Sequence, residues 1–311
     1  MAQSKVVVLG IFVADLAFRA PRLPVMGETI LGRGFAMGPG GKGSNQVVAA
    51  AKAGAKAQFI TRVGADSFGE IARAAWSAVG VDTSLVVTDA DTPTGAAFIF
   101  VSTETGNNAI IVESGAAGKI SADDVRAAEH AIAGADVFMT QFEQPIEAAR
   151  EGLAIARRHG VTTVLNPAPA ATVDDALLAL CDYVTPNETE AAALTGIDVV
   201  TVDDAKRAAE VLLARGARNA LITLGERGAL LHGAAGSGLI ASFPAPKVVD
   251  TTGAGDAFNG GFATALGEGM SPMDAARFGC ALASLSVRKP GTAPSMPVRS
   301  EIEDLLQGRI S

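Results

Sequence analysis

The run Asp250-Thr251-Thr252-Gly253-Ala254-Gly255-Asp256-Ala257-Phe258-Asn259-Gly260 sets two carboxylates around a Gly-Ala-Gly turn and leads into an apolar stretch of helical period ending near Leu266. Glycines at a helix start leave backbone N–H groups free. Together with the helix dipole these make an anion site suited to charge developing on a transferring phosphoryl group. Removing one preorganised donor of this kind costs about 3–4 kcal/mol of transition-state stabilisation. Asp256 falls in the first turn, where a carboxylate reaches a substrate hydroxyl beside the anion hole and accepts its proton as the oxygen attacks. The plain alternative is a helix cap, since Asp is common at that position. The Gly-Ala-Gly before it and the second acid at Asp250 weigh toward chemistry.

A second glycine cluster, Gly38-Pro39-Gly40-Gly41-Lys42-Gly43-Ser44-Asn45-Gln46, opens another helix. It matches G-x-G-x-x-G at Gly38, Gly40 and Gly43, but a dinucleotide fingerprint follows the first strand directly, and these glycines lie far beyond Val6–Leu9. It also fails as a Walker A loop, because Ala36 stands where the first glycine belongs and Gly43 where Ser or Thr should follow the lysine. What remains is a tight turn bearing Lys42, Asn45 and Gln46, suited to hydrogen-bonding several hydroxyls of a polar ligand. Thr223-Leu224-Gly225-Glu226-Arg227-Gly228 turns at two glycines after a strand, fit either to approach a ligand at the carboxyl edge of a sheet or to close a plain hairpin. In Thr185-Pro186-Asn187-Glu188-Thr189-Glu190, Asn187 and Glu190 share one face of a helical turn. That pair either holds hydrated Mg²⁺ near phosphates or is an acidic first turn that favours the dipole.

These motifs need elements to position them. Short β-branched runs alternate with alanine-rich segments of helical period, the pattern of a parallel sheet covered on both faces, which predicts the α/β class. Strands are expected at Val6–Leu9, Gln58–Val63, Val137–Thr140, Thr163–Leu165, Tyr183–Thr185 and Ala220–Thr223. Helices are expected near 44–53, 67–79, 146–158, 203–215, 256–267 and 272–288, in an order that is essentially βαβα throughout. Residues 12–37 and 94–113 break the pattern. Gly95–Val101 and Ala109–Val112 read as hairpin strands around Thr103–Asn108, and the two segments predict a small separate sheet able to cover a site from which water must be kept.

The chain has 311 residues and a formal charge of −8, which speaks against a nucleic acid partner because that requires a clustered basic footprint. Cys181 and Cys280 lack metal-ligand spacing and suit buried residues in a reducing compartment. His130, His159 and His232 lie away from every glycine cluster, so neither histidine catalysis nor zinc is expected. No G-x-S-x-G elbow is present. The run Val6 to Ala14 reads as a buried first strand rather than a signal-peptide core, since only Lys5 precedes it and Asp15 interrupts it. With no apolar run of about 18 residues, no membrane span is expected, and the reading is a cytoplasmic protein.

In this order and spacing, Gly40-Gly41-Lys42-Gly43 with Asn45, Asn187-x-x-Glu190, Thr223-Leu224-Gly225 and Asp250 through Asp256 resemble the PfkB family of carbohydrate kinases, within it the ribokinase group, along nearly the whole chain. Arg288-Lys289-Pro290-Gly291-Thr292-Ala293-Pro294-Ser295 is similar to the segment that closes an alkali-cation loop in that group. The resemblance implies one ribokinase-like domain over 1–311, with the two pattern-breaking segments as a β lid that often forms a dimer contact. It implies Asp256 as catalytic base, with the Gly253, Ala254, Gly255 and Asp256 backbone as anion hole. Asp15, Gly41, Lys42, Asn45 and Glu143 match sugar-binding positions; Asp15 and Glu143 would otherwise pass as loop carboxylates. Asn187, Thr223, Gly225, Gly228 and Gly255 match positions that contact ATP, and Glu190 belongs to the motif governing Mg²⁺ and phosphate. A K⁺ ion would be held by Asp250, Thr252, Ser286, Lys289, Gly291 and Ser295, mostly through carbonyls, bracing the anion-hole loop.

One position departs from that pattern: the group usually has Asn two residues before the sugar-binding acid, and here Val13 precedes Asp15. Losing such a partner shifts sugar discrimination by several kcal/mol when it leaves a buried polar group unpaired. The implied activity is phosphorylation of D-ribose to ribose 5-phosphate, with deoxyribose, another pentose, a ketose or a tetrose as alternatives. A nucleoside kinase would need a base pocket, and aromatic residues make up only 5% of the chain. A sugar- or nucleotide-binding regulator without catalysis would have no need of Asp256. An NAD-dependent dehydrogenase ranks last, its fingerprint being misplaced.

Overall fold

The computed structural model describes residues 3–310. Its strands are β1 (Lys5–Leu9), β2 (Val13–Ala20), β3 (Gly34–Gly40), β4 (Lys56–Gly64), β5 (Val86–Asp89), β6 (Thr94–Ser102), β7 (Asn108–Gly115), β8 (Val137–Thr140), β9 (Thr162–Leu165), β10 (Tyr183–Val184), β11 (Asn219–Thr223), β12 (Ala229–Gly233) and β13 (Gly236–Ile240). The helices are α1 (Lys42–Lys52), α2 (Ser67–Ser77), α3 (Ala122–Ala127), α4 (Glu129–Ala133), α5 (Ile146–Arg158), α6 (Asp175–Leu178), α7 (Glu188–Thr195), α8 (Val202–Ala214), α9 (Ala254–Gly267), α10 (Pro272–Ser286) and α11 (Arg299–Leu306).

The main sheet has nine strands in the order β13-β12-β11-β10-β9-β8-β1-β4-β5. Every neighbouring pair from β11 to β5 runs parallel. A parallel sheet is stable only when both faces are dry, and β1 shows how the sequence arranges that. Val6 and Val8 join one apolar layer with Phe258 and Phe262 of α9 and Phe278 of α10. Val7 and Leu9 point the other way, into a layer with Leu153 of α5 and Leu212 of α8. Successive side chains of a strand face opposite sides, so one continuous run serves two cores.

The smaller sheet has the order β3-β2-β6-β7. In its register Phe18 stands opposite Phe35 and Phe100, and Leu16 opposite Met37 and Phe98, which puts all six on one face. Asp15, opposite Gly38 and Ala97, is on the other face, and so is Val13 two residues earlier.

The expected α/β class and both pattern-breaking segments are present. Two expectations need correcting. The run Val6 to Ala14 is not one strand: β1 ends at Leu9 and β2 begins at Val13 in the other sheet. The βαβα order fails at the end of the sheet, where β11, β12 and β13 pair antiparallel, with Gly228 (φ 97°) turning the chain between the first two. Asp15 lies on β2, within the segment expected to form the small sheet. The edge strand β5 and the short helices α3, α4, α6 and α11 were not anticipated; they carry too few turns or too weak an alternation to register as periodic.

Two helices meet at glycine. A Cβ added at Gly260 in α9 would lie 2.5 Å from Ala49 Cβ and 2.7 Å from the Gln46 carbonyl of α1. Replacing Gly by Ala in a helix interior gains about 1 kcal/mol of propensity, whereas overpacking against backbone costs about 1–3 kcal/mol. The contact is the larger effect. Gly260→Ala should therefore lower stability by about 1–2 kcal/mol, seen as a lower urea midpoint with an unchanged slope; an equal or higher midpoint would show that α1 and α9 separate without cost.

Candidate active site

Because the central strands are parallel, their carboxyl ends share one edge, and the residues just beyond them converge. Gln141 and Glu143 follow β8, Asn166 follows β9, Thr185 follows β10, and Thr223 ends β11. The first turns of α1 and α9 reach the same edge. Gly41 starts α1 with φ 87°, and a Cβ on Gly43 would stand 2.6 Å from Gly10 Cα, so only a glycine pair lets α1 sit against the end of β1. Gly253 starts α9 with φ 77° and lies against Thr292, where a Cβ would be 3.3 Å from that side chain.

Asp256 is 6% exposed. It does not cap its helix. Its Oδ2 accepts from Asn45 Nδ2 at 2.9 Å and its Oδ1 from Gln46 Nε2 at 3.0 Å, both donors coming from α1. Gln46 Nε2 also donates to Asn166 Oδ1 at 3.0 Å, Gln46 Oε1 accepts from Gln141 Nε2, and Asn166 Nδ2 donates to the Thr185 carbonyl at 3.0 Å. Asn259, one turn after Asp256, donates to the Gly255 carbonyl at 2.8 Å and accepts from the Thr185 hydroxyl at 2.6 Å. The opening of α9 is thus tied to the ends of β8, β9 and β10. Asn45 Oδ1 is buried with no partner among the described residues, an acceptor whose burial calls for a donor.

The electrostatics centre on Lys42. Burial pushes its ammonium down, but Asp256, Glu143 and Glu190 outweigh burial and hold its pKa above the ordinary value. Burial raises the Asp256 carboxyl, opposed by Lys42, Asn45 and Gln46. Burial also pushes Asp15 up to about 6, with Asp256 adding to it. Glu143 is raised to about 7, again by burial, although Lys42 opposes it and the Lys42 N–H donates to its Oε2 at 2.7 Å. One ammonium facing a group of acids in a partly dry cleft is a charge arrangement for binding a polyol and moving a proton.

A cleft of about 150 Å³ joins Lys42, Asn166, Thr185 and Asp256 to the Gly253–Gly255 turn, Asn187, Glu190 and Thr223. Asn187 and Glu190 form a capping box: Asn187 Oδ1 accepts from the Glu190 N–H at 2.8 Å, and Glu190 Oε2 accepts from the Asn187 N–H at 2.9 Å. The pair caps the start of α7, with Glu190 in its acidic first turn, and lines the cleft as well. Gly225 is exposed with φ 58°, outside the cleft lining. Gly228 is buried in the hairpin, where a Cβ would lie 1.9 Å from the Ile240 carbonyl, so its role is to let β12 and β13 pass.

Of the residues expected around a cation, Asp250, Thr252 and Gly291 meet through hydrogen bonds. Asp250 Oδ1 accepts from the Thr252 N–H at 2.9 Å and Oδ2 from the Gly291 N–H at 3.0 Å, and the Val287 carbonyl accepts from both Val249 and Asp250. Burial would raise Asp250, but the Thr252 and Gly291 donors outweigh it and keep it low. Ser286 Oγ donates to the Ala283 carbonyl and Ser295 Oγ to the Thr292 carbonyl, at 2.8 and 2.7 Å. Lys289 Nζ instead meets Glu301 at 3.1 Å. An ionised carboxylate between two stitched loops fits a monovalent cation held mainly by carbonyls. Among the described residues no group of three or more His, Cys, Asp or Glu is placed to hold a metal, so a divalent ion would rely on phosphate oxygens and water, the usual manner of Mg²⁺.

Sequence reasoning assigned no role to Gln141, Asn166, Thr185, Asn259 or Thr292. Thr292 Oγ1 donates to the Pro39 carbonyl at 2.8 Å, joining the second loop to β3. Single polar residues at strand ends have no local signature; only Asn259, polar in an apolar helix one turn after Asp256, carried a signal that could have found it.

The raised Glu143 gives a signed prediction. Its proton is held more tightly in the folded chain than in the unfolded one, so its stabilising contribution is full below about pH 4 and is lost as pH rises through about 7. Glu143→Gln keeps an acceptor for the Lys42 N–H without the charge. The ligand-free variant should match the parent near pH 4 and exceed it by on the order of 2 kcal/mol at pH 8 in urea unfolding. A variant less stable at pH 8 would contradict the buried-charge account.

The chain matches the family described as pfkB family carbohydrate kinase over residues 3–299. It is 42% identical over 300 residues to the ribokinase of Haemophilus influenzae, covering 96% of this chain and 97% of that one. To the deoxyribokinase of Salmonella typhi it is 33% identical over 302 residues, covering 97% and 98%. The solved structure of Arabidopsis thaliana ribokinase complexed with ribose and ATP has a TM-score of 0.92 to this chain at 32% identity, with 98% and 99% covered. Sequence and fold agree from end to end: this chain belongs to the pfkB family of carbohydrate kinases.

Proposed function

We propose that this carbohydrate kinase transfers the γ-phosphate of ATP to D-ribose, giving ribose 5-phosphate. The observation that carries the mechanism is the placing of a buried carboxylate, Asp256, and the N–H groups of Gly253 and Gly255 in one cleft, the Ala254 N–H being held by the Thr251 carbonyl. The match to ribokinases at up to 42% identity supports the choice of sugar over deoxyribose, whose kinase stands at 33%.

In this reading Asp15, Gly41, Lys42, Asn45 and Glu143 hold the sugar. The unpartnered Asn45 Oδ1 takes one hydroxyl, and Asp15 and Glu143 accept from others. Asp256 removes the proton from the attacking hydroxyl; Asn45 and Gln46 fix the carboxylate so that a lone pair faces the cleft. The turn at the start of α9 accepts the charge that develops on the transferring group, aided by Lys42. Asn187, Thr223 and Gly225 lie along the nucleotide side, with Gly228 shaping the hairpin beneath it.

Mg²⁺ would be held through water by Glu190, and K⁺ by the loops of Asp250, Thr252, Ser286, Gly291 and Ser295. Magnesium neutralises phosphate charge and potassium stiffens the anion-hole turn. Lys289 would contribute through its carbonyl, its ammonium being paired with Glu301. The face bearing Asp15 lets the small sheet serve as lid. Its other face exposes Phe18, Phe35, Met37, Phe98 and Ile111 at 41, 59, 50, 36 and 69%, and the rings of Phe18 and Phe35 lie 4.9 Å apart. An apolar patch of that kind marks an interaction surface, and we assign it to a second copy of this chain. Both cysteines are free and buried, in keeping with a cytoplasmic enzyme. No helix among the described residues is long and apolar enough to cross a membrane.

ATP consumption with Mg²⁺ and K⁺ should be fastest with D-ribose across pentoses, deoxypentoses, tetroses, ketohexoses and nucleosides, and should fall at least several-fold with Na⁺ in place of K⁺. Preference for a deoxypentose would reassign the sugar and point to Val13, and no turnover on any of them would leave a binding protein. Phe35→Glu should convert a dimer to a monomer in light scattering. A parent chain that is already monomeric at micromolar concentration would remove the dimer assignment.

A further inference from the structure

A second cavity, of about 560 Å³, opens at the opposite edge of the main sheet, at the amino ends of its strands. Thr162 at the start of β9, Tyr183 at the start of β10, Asn219 at the start of β11 and Leu266 near the end of α9 line it. The other ends of these four elements carry Asn166, Thr185, Thr223 and Asp256, which line the candidate active site. The two cavities are therefore spanned by the same three strands and one helix.

Three charged residues line this second cavity: Arg157, Arg218 and Asp182. The two guanidinium groups donate to the same Asp182 oxygen, at 2.7 and 3.0 Å, while the other oxygen accepts from the Thr163 N–H and hydroxyl at 3.0 and 3.2 Å. Asp182 is saturated by these contacts. The cavity keeps a net positive charge within a chain of net charge −8. Each arginine spends one terminal nitrogen on Asp182, and the rest of its planar fork remains for a further acceptor; the side chains are 37% and 57% exposed. Two forks converging on one point suit a phosphate, whose oxygens bridge them bidentately. The volume lies within the range of about 300–1,000 Å³ that holds small organic ligands, and Val161, Ala235 and Leu266 supply apolar wall.

We propose that this cavity is an effector site for a small organic phosphate, bound through Arg157 and Arg218, and that its occupancy is felt at the nucleotide side through β9, β10, β11 and α9. The binding part stands independently of the proposed reaction. The coupling part rests on the nucleotide reading of the candidate site.

Isothermal titration of the full chain with glycerol 3-phosphate and 3-phosphoglycerate, against glycerol and glycerate as controls, tests the binding. Saturable binding of a phosphorylated probe is expected, weakened tenfold or more by Arg218→Gln. Because a change at the Asp182 ion pair is also a structural change, Ala234→Glu provides a second variant. It leaves both arginine contacts intact, sets a like charge at the rim, and should cause the same loss. Coupling is read as a several-fold shift in affinity for a non-hydrolysable ATP analogue when the probe saturates, absent in Ala234→Glu; by linkage the analogue must shift the probe equally. No saturable binding of either phosphorylated probe, or binding unaffected by both variants, would overturn the site. Binding that leaves analogue affinity unmoved would overturn the effector role. If the analogue itself fails to bind, the proposed reaction fails, and the probe titrations still decide the site.

Discussion

Taking a carboxylate out of water costs several kcal/mol unless hydrogen bonds and an opposite charge replace its hydration, and the placing of Asp256 depends on how the fold meets that cost. Two amide side chains from α1 supply the hydrogen bonds and Lys42 the charge. The compensation is incomplete, so the group stays more basic than a solvated carboxylate. That is the condition wanted of a base in the proposed reaction, since a fully compensated carboxylate would be a poor proton acceptor. Gln46 is itself held by Gln141 and Asn166, so the orientation of one carboxylate draws on the ends of two strands as well as a helix.

The same constraint explains where glycine is required. Asn45 and Gln46 reach Asp256 only if α1 lies against the end of β1 and against α9, and the contacts at Gly10, Gly43 and Gly260 leave no room for a Cβ. Parallel strands deliver the remaining groups to one edge without any local code of their own. The stitched loops around Asp250 and Thr292 then fix the turn that starts α9, which is where a bound cation would act on catalysis without touching the sugar.

How much of this the sequence showed follows from where each signal lies. The alternation of β-branched runs with helical segments gave the layered class, because burial on both faces imposes it residue by residue. The glycine clusters marked both helix starts at the site, since a positive φ or a close backbone approach restricts the residue type locally. Asp15 carried no local signal of its own, because its strand belongs to a half-exposed sheet whose alternation is interrupted by small residues, and only the resemblance marked it. Gln141, Asn166 and Thr185 were invisible: each matters through a partner more than a dozen residues away, and no local spacing records such a pairing. The antiparallel turn at Gly228 fell between two readings of one motif: the pairing of β12 with β11 makes it a hairpin, while Thr223 at its start also lines the cleft.

The measurement that tests the central claim most directly compares Asp256→Asn with the parent chain, with sugar binding by calorimetry and turnover measured on the same preparation. An amide keeps the shape and its position beside Asn45 and Gln46 while removing the base. The account predicts that the sugar still binds within about tenfold and that kcat falls by at least about 10²–10⁴, the usual worth of a general base. Turnover close to that of the parent would show that the proton leaves by another route and that Asp256 serves the structure alone.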